Sequence, residues 1–424
     1  MNEITHVPSP FCGMGTDDLT LHVDNLVIKV IENGCAVNTP AFEQTITDIR
    51  PRINGIEVEL KEAVSYAANL LKNKNFPVIG GCATDVNGMR DLLALADSVG
   101  AVVDNANFTN ARKNILALQS VGWMNTTLAE VKNRCDVLLI VGTDLESFAP
   151  RFFEKYLWNE AMFLEHTCDR DIIYLGTKPS GNASTSPTGK KAQVFECQNQ
   201  DLPEIMSVLR ALVKAQNIQM QNVAGISIED LKAIAEKLKN AKYGVVTWAA
   251  GSLNYSHAEL TVQIISDMVK HLNETTRCSG FPLGGKEGDQ TANQVCGWTT
   301  GYAARVSFAK GYPEYDPFLF ETNTLLENGE ADVLIWVNAF NTKANPPQTH
   351  LPTIVVARSG MMFKKEPEVF IPVGTPGIDH AGHAYRLDNV VAIRLKKLRD
   401  SGLPSTAEVL NGIAQHYMRN QDVN

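Results

Sequence analysis

The 424-residue chain lacks any apolar run of the roughly 18 residues that a membrane helix needs, so we expect no membrane span. Basic residues are also too few for a general nucleic-acid binder: 38 Lys and Arg stand against 47 Asp and Glu, a formal net charge of −9. The opening MNEITHVPSP has no basic region followed by an apolar stretch, so no secretory signal is expected. Eight cysteines without a framework spacing predict reduced thiols and a cytoplasmic protein.

Common nucleotide and metal motifs are missing as well. No complete G-x-G-x-x-G follows an apolar run, and GGKEGDQT departs from the P-loop pattern directly after its lysine. His380 and His383 have a zinc-like spacing, but Gly382 disfavours a helix there and no third ligand is evident, so we expect no metal site. Cys278 and Cys296, which occur in glycine-rich segments, are expected to be buried structural thiols.

The first 50 or so residues differ from the rest of the chain. Alternating apolar positions in LTLHVDNLVIKVIENGCAVN predict a small antiparallel hairpin, with Asn33-Gly34 as a plausible turn. From residue 57 onward the pattern changes to amphipathic helices and short apolar strands. In EVELKEAVSYAANLLKNK, for example, the apolar side chains of Val64, Ala67, Ala68 and Leu71 share one helical face.

Several apolar runs are too short for a membrane and lack polar alternation, as strands buried on both faces should. They are FPVIGGCAT, CDVLLIVGTDL, DIIYLGTKPSG, KYGVVTWAAGS, ADVLIWVNAF, PTIVVARSG and EVFIPVGTPG. Strands of this kind that alternate with helices predict an α/β fold with parallel sheets, whose ligand crevices lie at the carboxyl ends of the strands. GGCATDVNG is predicted to be a strand-to-helix turn, and GTKPSGNASTSPTGKK a loop.

One short segment raises a chemical question. In SPFCGMGTDD, Ser9, Cys12 and Thr16 have the spacing that iron–sulfur proteins usually fill with three cysteines. The segment is either an altered cluster site or a loop that carries a single thiol.

The chain resembles the B subunit of formylmethanofuran dehydrogenase, within the molybdenum/tungsten bis-pterin oxidoreductases. The segments that carry the resemblance are PFCGMGTDDLTL, NGCAVN, ADSVGAVVDN, LLIVGTDLESFAPRFF, GGKEGDQTANQVCGWTTGYAARVSFAKGYPEYDP and PVGTPGIDHAGHAYRLDNV. It implies a small β-rich N-terminal domain and two interleaved Rossmann-like domains of the formate dehydrogenase type. We place the N-terminal domain at 1–50, a discontinuous α/β domain at 51–105 and 286–424, and an inserted α/β domain at 106–285.

Active members of this family hold a cubane iron–sulfur cluster with four thiolates on the N-terminal domain. Carried onto this sequence, the resemblance places those ligands at Ser9, Cys12, Thr16 and Cys35, so two of the four are hydroxyls. A hydroxyl is a poor substitute for the soft thiolate that such a cluster requires, so we expect no stable cluster. The alternative is a cluster completed by a distant cysteine such as Cys82.

The resemblance implies a second metal position. Active members place a tungsten- or molybdenum-binding Cys or selenocysteine, followed by His, shortly after the Asp-Asn that ends VGAVVDN. In this chain the pair falls on Asn110 and Ala111, and no Cys or His occurs between residues 83 and 134. We therefore expect no catalytic residue and no metal on this chain.

A chain that keeps the fold and loses the redox site is expected to act through its surfaces. The resemblance implies a non-catalytic B subunit of a bacterial formyltransferase/hydrolase complex in one-carbon metabolism. That complex moves a formyl group from formyl-tetrahydromethanopterin to a methanofuran-type carrier and hydrolyses it to formate. The expected partners are an amidohydrolase-like A subunit, a C subunit and a formyltransferase D subunit, with zinc and the carrier on those partners.

Two alternatives stay open. In the first, the chain is an active molybdenum/tungsten dehydrogenase subunit. In the second, it is a stand-alone protein that binds a pterin or nucleotide. In the second case Lys178, Gly284, Gly285 and Lys286 are the vestigial pterin-cleft residues, and a phosphate would be held by backbone amides and a lysine. Whether side chains such as Phe108 or Arg112 fill the former cleft is not decided by the sequence.

Overall fold

The computed structural model describes residues 2–419, and its strands coincide with most of the short apolar runs. In chain order they are β1 (Asn2–Val7), β2 (Leu19–Asp24), β3 (Val27–Glu32), β4 (Arg52–Ile53), β5 (Ile56–Glu57), β6 (Pro77–Ala83), β7 (Val102–Val103), β8 (Val137–Val141), β9 (Asp171–Gly176), β10 (Gln193–Glu196), β11 (Asn222–Val223), β12 (Ile226–Ser227), β13 (Gly244–Ala249), β14 (Cys278–Leu283), β15 (Val306–Ser307), β16 (Glu314–Tyr315), β17 (Val333–Asn338), β18 (Thr353–Arg358), β19 (Val369–Val373), β20 (Gly382–Tyr385) and β21 (Ala392–Leu395).

The helices alternate with these strands. They are α1 (Asn38–Phe42), α2 (Leu60–Leu71), α3 (Val86–Val99), α4 (Phe108–Val121), α5 (Leu128–Arg134), α6 (Leu145–Phe148), α7 (Leu202–Val213), α8 (Ile228–Asn240), α9 (Ala258–Leu272), α10 (Asp289–Thr300), α11 (Thr322–Glu327) and α12 (Thr406–Arg419). None of the helices described for residues 2–419 combines the length and the apolar character that a membrane crossing requires.

The described residues fall into two compact units: Met1–Thr109 together with Gly285–Asn424, and Asn110–Gly284. The predicted mixed α/β fold with parallel sheets is confirmed. The finer division, with a separate domain over residues 1–50, stays a prediction.

The first unit is built on a sheet in the order β16-β15-β7-β6-β17-β18-β19-β4-β5, in which β7, β6, β17, β18 and β19 run parallel. These parallel strands are apolar and buried because helices α2, α3, α10 and α12 share one core with the sheet. The predicted face of α2 is confirmed: Val64, Ala67, Ala68 and Leu71 are all buried. β7 lies on one side of β6 and β17 on the other, so the direction in which successive strands join the sheet reverses between β6 and β17. Parallel sheets usually bind ligands at such a reversal point.

The second unit contains an all-parallel sheet in the order β10-β9-β8-β13-β14. Its core is formed with helices α7, α8 and α9, and its reversal point lies between β8 and β13. The segment of β14, CSGFPL, was not predicted as a strand because Gly280 and Pro282 interrupt its apolar pattern. Proline is tolerated there because β14 is an edge strand. Cys278 therefore begins a strand and does not lie in a loop; as predicted, it is buried.

The N-terminal hairpin exists, but its predicted turn is wrong. Strands β1, β2 and β3 form a separate antiparallel sheet, and β2 turns into β3 at Asn25, which has a left-handed φ of 53°. Asn33 and Gly34 instead follow the end of β3, where the Asn33 side-chain amide donates to the carbonyl of Asp18 at 2.8 Å. Both asparagines tolerate the left-handed region, so local sequence alone did not distinguish between the two turns.

Two buried arginines attach this N-terminal segment to the rest of the first unit. Arg358 donates to the carbonyls of Phe340 at 2.9 Å and Ala41 at 2.7 Å. Arg399 donates to the carbonyl of Leu26 at 2.7 Å, and its Nε lies 2.8 Å from Oδ1 of Asp379. Each guanidinium thus donates to one backbone carbonyl of the N-terminal segment.

We predict that Arg399→Met destabilises the first unit by about 3–5 kcal/mol, because the substitution leaves the Asp379 carboxylate buried without its cation. Both side chains are almost fully buried, at 2% and 3% exposure. Urea denaturation at neutral pH measures the loss in the free energy of unfolding.

The matched control is Lys397→Met, which removes an ion pair to Asp400 whose side chains are 50% and 84% exposed. This change should cost less than about 1 kcal/mol. Equal losses for the two variants would contradict a structural role for the buried pair.

Candidate functional site

The four positions that the resemblance assigns to a cluster do come together, and they surround one residue that the sequence did not single out. Ser9, Thr16 and Cys12 are buried and Cys35 is half-buried. The side chain of Asn38, the first residue of α1, is completely buried among them.

The amide of Asn38 connects these positions by hydrogen bonds. Ser9 Oγ donates to Asn38 Oδ1 at 2.7 Å, and Asn38 Nδ2 donates to Thr16 Oγ1 at 3.2 Å. The backbone N–H of Asn38 points to Cys35 Sγ at 3.4 Å, and Cys12 Sγ lies 3.4 Å from Thr16 Oγ1. One asparagine therefore contacts three of the four positions directly and reaches the fourth through Thr16.

The local sequence explains why the segment turns back on itself. Gly13 and Gly15 both adopt left-handed φ values, 65° and 57°, which other residues rarely accept. The turn is closed by the N–H of Ser9, which donates to the carbonyl of Thr16 at 2.8 Å. Phe11 leaves the turn to pack edge-on against the rings of Phe42 and Phe340, at centroid distances of 5.2 and 6.0 Å.

This donor set does not fit a cubane cluster. Iron–sulfur clusters are held by thiolates, and here two of the four donors are hydroxyls that already bond an amide. Cys82 does not replace them: its thiol is buried in β6 and points to the carbonyl of Asp104 at 3.4 Å. Within residues 2–419, no three His, Cys, Asp or Glu side chains are grouped as metal ligands.

The second metal position offers no soft donor either. Asn110 is exposed and Ala111 is half-buried in the first turn of α4. A methyl group added to Gly251 would lie 3.4 Å from the amide carbon of Asn110. A carboxamide and a methyl group do not fit a tungsten or molybdenum ion, which takes a thiolate or selenolate in the family.

In the second unit, side chains fill the reversal point of the sheet. Nδ2 of Asn199 donates to the carbonyls of Ser252 at 2.8 Å and Gly142 at 3.3 Å, and so links the loops that follow β13 and β8. A Cβ on Gly142 would lie only 2.7 Å from a methyl of Leu202 and 2.8 Å from one of Leu253. Asn199, Leu202 and Leu253 therefore pack at the reversal point of this sheet, the place where such sheets usually bind ligands.

In the first unit, a tight turn covers the end of β6. Gly285 and Gly288 have left-handed φ values, and so does Glu287 between them, at 53°. A Cβ on Gly288 would lie 2.8 Å from the carbonyl of Thr84, so only glycine permits this close packing. The Glu287 carboxylate accepts a hydrogen bond from the Asn341 amide at 3.0 Å.

Charged groups in this turn are partly removed from water. Burial lowers the pKa of Lys286 and raises the pKa of Glu287. Burial also raises the pKa of Asp289, at the start of α10, to about 7. Its Oδ1 is buried and accepts no hydrogen bond from any described residue.

The assignment of the other residues named for the former pterin cleft stays a prediction, and each has its own surroundings. Lys178 lies exposed after β9, 3.5 Å from the carboxylate of Glu196. Gly284 ends the second unit directly after β14. Phe108 is buried under a guanidinium, and Arg112 is half-buried on α4.

The two histidines with zinc-like spacing have no third candidate ligand beside them among the described residues. His383 is exposed on β20, and His380 contacts the carbonyl of Ala381. Neither ring is joined by a third ligand among the described residues.

Sequence reasoning also missed a buried ion cluster. Arg305, 1% exposed, donates to Asp104 at 3.1 Å, Glu321 at 2.9 Å and the hydroxyl of Thr109 at 2.8 Å. Its guanidinium lies 5.1 Å from the ring centre of Phe108. Burial raises the pKa of Asp104, and the cation of Arg305 opposes that shift. This cluster fixes the Asp-Asn segment that precedes α4.

Comparison with known proteins confirms the resemblance found in the sequence. The chain is homologous to the B subunit of tungsten-containing formylmethanofuran dehydrogenase 2 from Methanocaldococcus jannaschii, with 28% identity over 414 residues that cover 94% of both chains. It is 29% identical to the Fhc B subunit of the formyltransferase/hydrolase complex from Methylorubrum extorquens, over 77% of this chain and 85% of that relative. No protein-family model matches the chain.

A solved structure has the same fold. A chain in the crystal structure of the formyltransferase/hydrolase complex FhcABCD from Methylorubrum extorquens, in complex with methylofuran, matches with a TM-score of 0.74 and 25% identity. The match covers 88% of this chain and 99% of that chain.

The raised pKa of Asp289 predicts a pH dependence of stability. The unfolded carboxyl titrates near pH 4 and the folded one near pH 7, so the folded state binds the extra proton between these values. The free energy of unfolding should therefore fall by about 1.4 kcal/mol per pH unit from pH 4 to 7 on account of this residue. Asp289→Asn should remove that decline, as measured by urea denaturation at pH 5 and pH 7.5.

Asp97→Asn, an exposed change on α3, is the control and should preserve the decline. An identical pH profile for the wild type and Asp289→Asn would disprove the assignment.

Proposed function

We propose that this homologue of the formylmethanofuran dehydrogenase B subunit is a non-catalytic structural component of a formyltransferase/hydrolase complex. The observation that carries the proposal is the donor set around Asn38, where two of the four positions implied for cluster thiolates are hydroxyls that bond the Asn38 amide. The absence of a thiol at Asn110 supports the same conclusion independently.

In this proposal the chain contributes surfaces that bind the other subunits, and those partner subunits catalyse formyl transfer and hydrolysis. The partners are an amidohydrolase-like A subunit, a C subunit and a formyltransferase D subunit, and zinc and the methanofuran-type carrier belong to them. The match to a chain of a multi-subunit complex supports a hetero-oligomer. The proposed location is the cytoplasm.

A stretch of the first unit has the composition of a protein interface. Trp298, Tyr312, Phe318 and Leu319 are each more than half exposed, within 22 residues of one another in the sequence. Tyrosine and tryptophan are enriched at protein interfaces, and exposed groups of this kind mark contact surfaces. This stretch supports association with a partner protein.

The second candidate is an active tungsten-dependent dehydrogenase subunit. Its support is the coverage of the match, since two tungsten-containing relatives match 94% and 97% of this chain. Against it stands the chemistry of the donor positions, which hold neither four cluster thiolates nor a thiolate for the heavier metal.

Metal analysis of the purified native complex separates the two functions. We predict less than about 0.1 tungsten or molybdenum and less than about 0.4 iron for each copy of this chain, because two of the four cluster positions are hydroxyls and residue 110 is an amide. Inductively coupled plasma mass spectrometry and extraction of pterin give these values. Stoichiometric tungsten or molybdenum, or four iron atoms per chain, would replace the first function with the second.

Co-expression tests the structural role itself. With the amidohydrolase-like partner present, the chain should elute with it as one species, and the double variant Trp298→Ala/Phe318→Ala should weaken that association at least 10-fold. The control is Met162→Ala, a change at an exposed apolar residue of the second unit. A stable, monodisperse monomer that never associates would contradict the structural role.

A further inference from the structure

We propose that Asn38 is a built-in replacement for a metal cluster: its side-chain amide crosslinks Ser9 and Thr16, its backbone N–H contacts Cys35, and these bonds make the N-terminal segment fold without iron. The resemblance supplies the identity of the ligand positions. The hydrogen bonds supply the way in which Asn38 connects them. It goes beyond the proposed function because a non-catalytic chain could have lost its cluster and left the space open.

Both ends of the Asn38 side chain form hydrogen bonds. A primary amide has one acceptor oxygen and two donor N–H groups. In Asn38 the oxygen accepts from Ser9 and the nitrogen donates to Thr16, so both ends of the side chain are used. A fully buried amide that is satisfied in this way orders both of its partners.

The hydrogen bonds of Asn38 join residues that are far apart in the sequence. The bond to Ser9 spans 29 residues and the bond to Thr16 spans 22 residues. Cys35, three residues before Asn38, is held by its contact with the Asn38 backbone N–H. The amide therefore joins the loop before β2 to the segment after β3, which is the connection that a cluster held by residues 9, 12, 16 and 35 would make.

The packing of Phe11 depends on the connection between Ser9 and Asn38. The N–H of Phe11 donates to Ser9 Oγ at 3.2 Å, so the same hydroxyl that bonds Asn38 also orients the residue preceding Cys12. The Phe11 ring then packs against Phe42, at the other end of α1, and against Phe340, two residues after β17. Loss of the amide should loosen the loop and this aromatic contact together.

Hydrogen exchange on the full chain tests the crosslink. In Asn38→Ala, the backbone amides of Ser9 and Phe11 should exchange at least 10-fold faster than in the wild type, and the thermal midpoint should fall by several degrees. The matched control is Asn199→Ala, which removes an amide bridge in the second unit and should leave exchange at residues 9–16 unchanged. Unchanged exchange in Asn38→Ala would overturn the proposal.

Iron uptake tests the replacement. Ser9→Cys/Thr16→Cys restores two thiols but keeps the amide, and should take up no cluster when incubated anaerobically with iron and sulfide. The triple variant Ser9→Cys/Thr16→Cys/Asn38→Gly should bind about four iron atoms per chain and absorb near 400 nm. Uptake of four iron atoms by the double variant, or none by the triple variant, would overturn the claim that Asn38 takes the place of the cluster.

These outcomes are separable from failure of the proposed function. Exchange and iron uptake of variants report on Asn38 whether or not the chain associates with a hydrolase. Conversely, a wild-type chain that does not join a complex leaves the crosslink intact.

Discussion

A buried amide must find partners for its oxygen and its nitrogen, and this requirement organises the N-terminal part of the molecule. Asn38 meets it with Ser9 and Thr16, two residues brought near it by the glycine turn that follows Phe11. Phe11 in turn packs on Phe340, which follows β17, a central strand of the nine-stranded sheet, by two residues. The position of the N-terminal segment on the first unit thus depends on a few hydrogen bonds that water cannot replace.

Groups of the chain itself also lie at the reversal points of the two sheets, where ligands commonly bind in this class of fold. Asn199 bridges two carbonyls and lies among leucines in the second unit, and the Gly285–Gly288 turn packs on the end of β6 in the first. In the second unit a side chain of the chain itself satisfies two backbone carbonyls at this place, and in the first unit the glycine turn packs against the carbonyl of Thr84.

Much of the fold could be predicted from the sequence because buried parallel strands and amphipathic helices leave periodic, local patterns. The face of α2 is an example, since each of its buried positions repeats at helical spacing. Prediction failed where the local sequence was compatible with more than one structure. Asn25 and Asn33 are equally acceptable in a turn, and β14 contains a glycine and a proline that its edge position tolerates. For the candidate site, the resemblance implied the positions of the cluster ligands but not the part played by Asn38, because an asparagine three residues after a cysteine has no chemical signature of its own.

The sequence by itself determined which side chains are available: two thiols and two hydroxyls at residues 9, 12, 16 and 35, and an amide at residue 110. It also determined the alternation of strands and helices, because hydrophobic periodicity is a property of neighbouring residues. Only the tertiary structure decided which polar groups meet. The partners of Asn38, Asn199 and Arg305 include residues more than 20 positions away in the chain, and long-range packing brings them within hydrogen-bonding distance. A hydrogen bond depends on distances of a few tenths of an ångström, which no local pattern specifies.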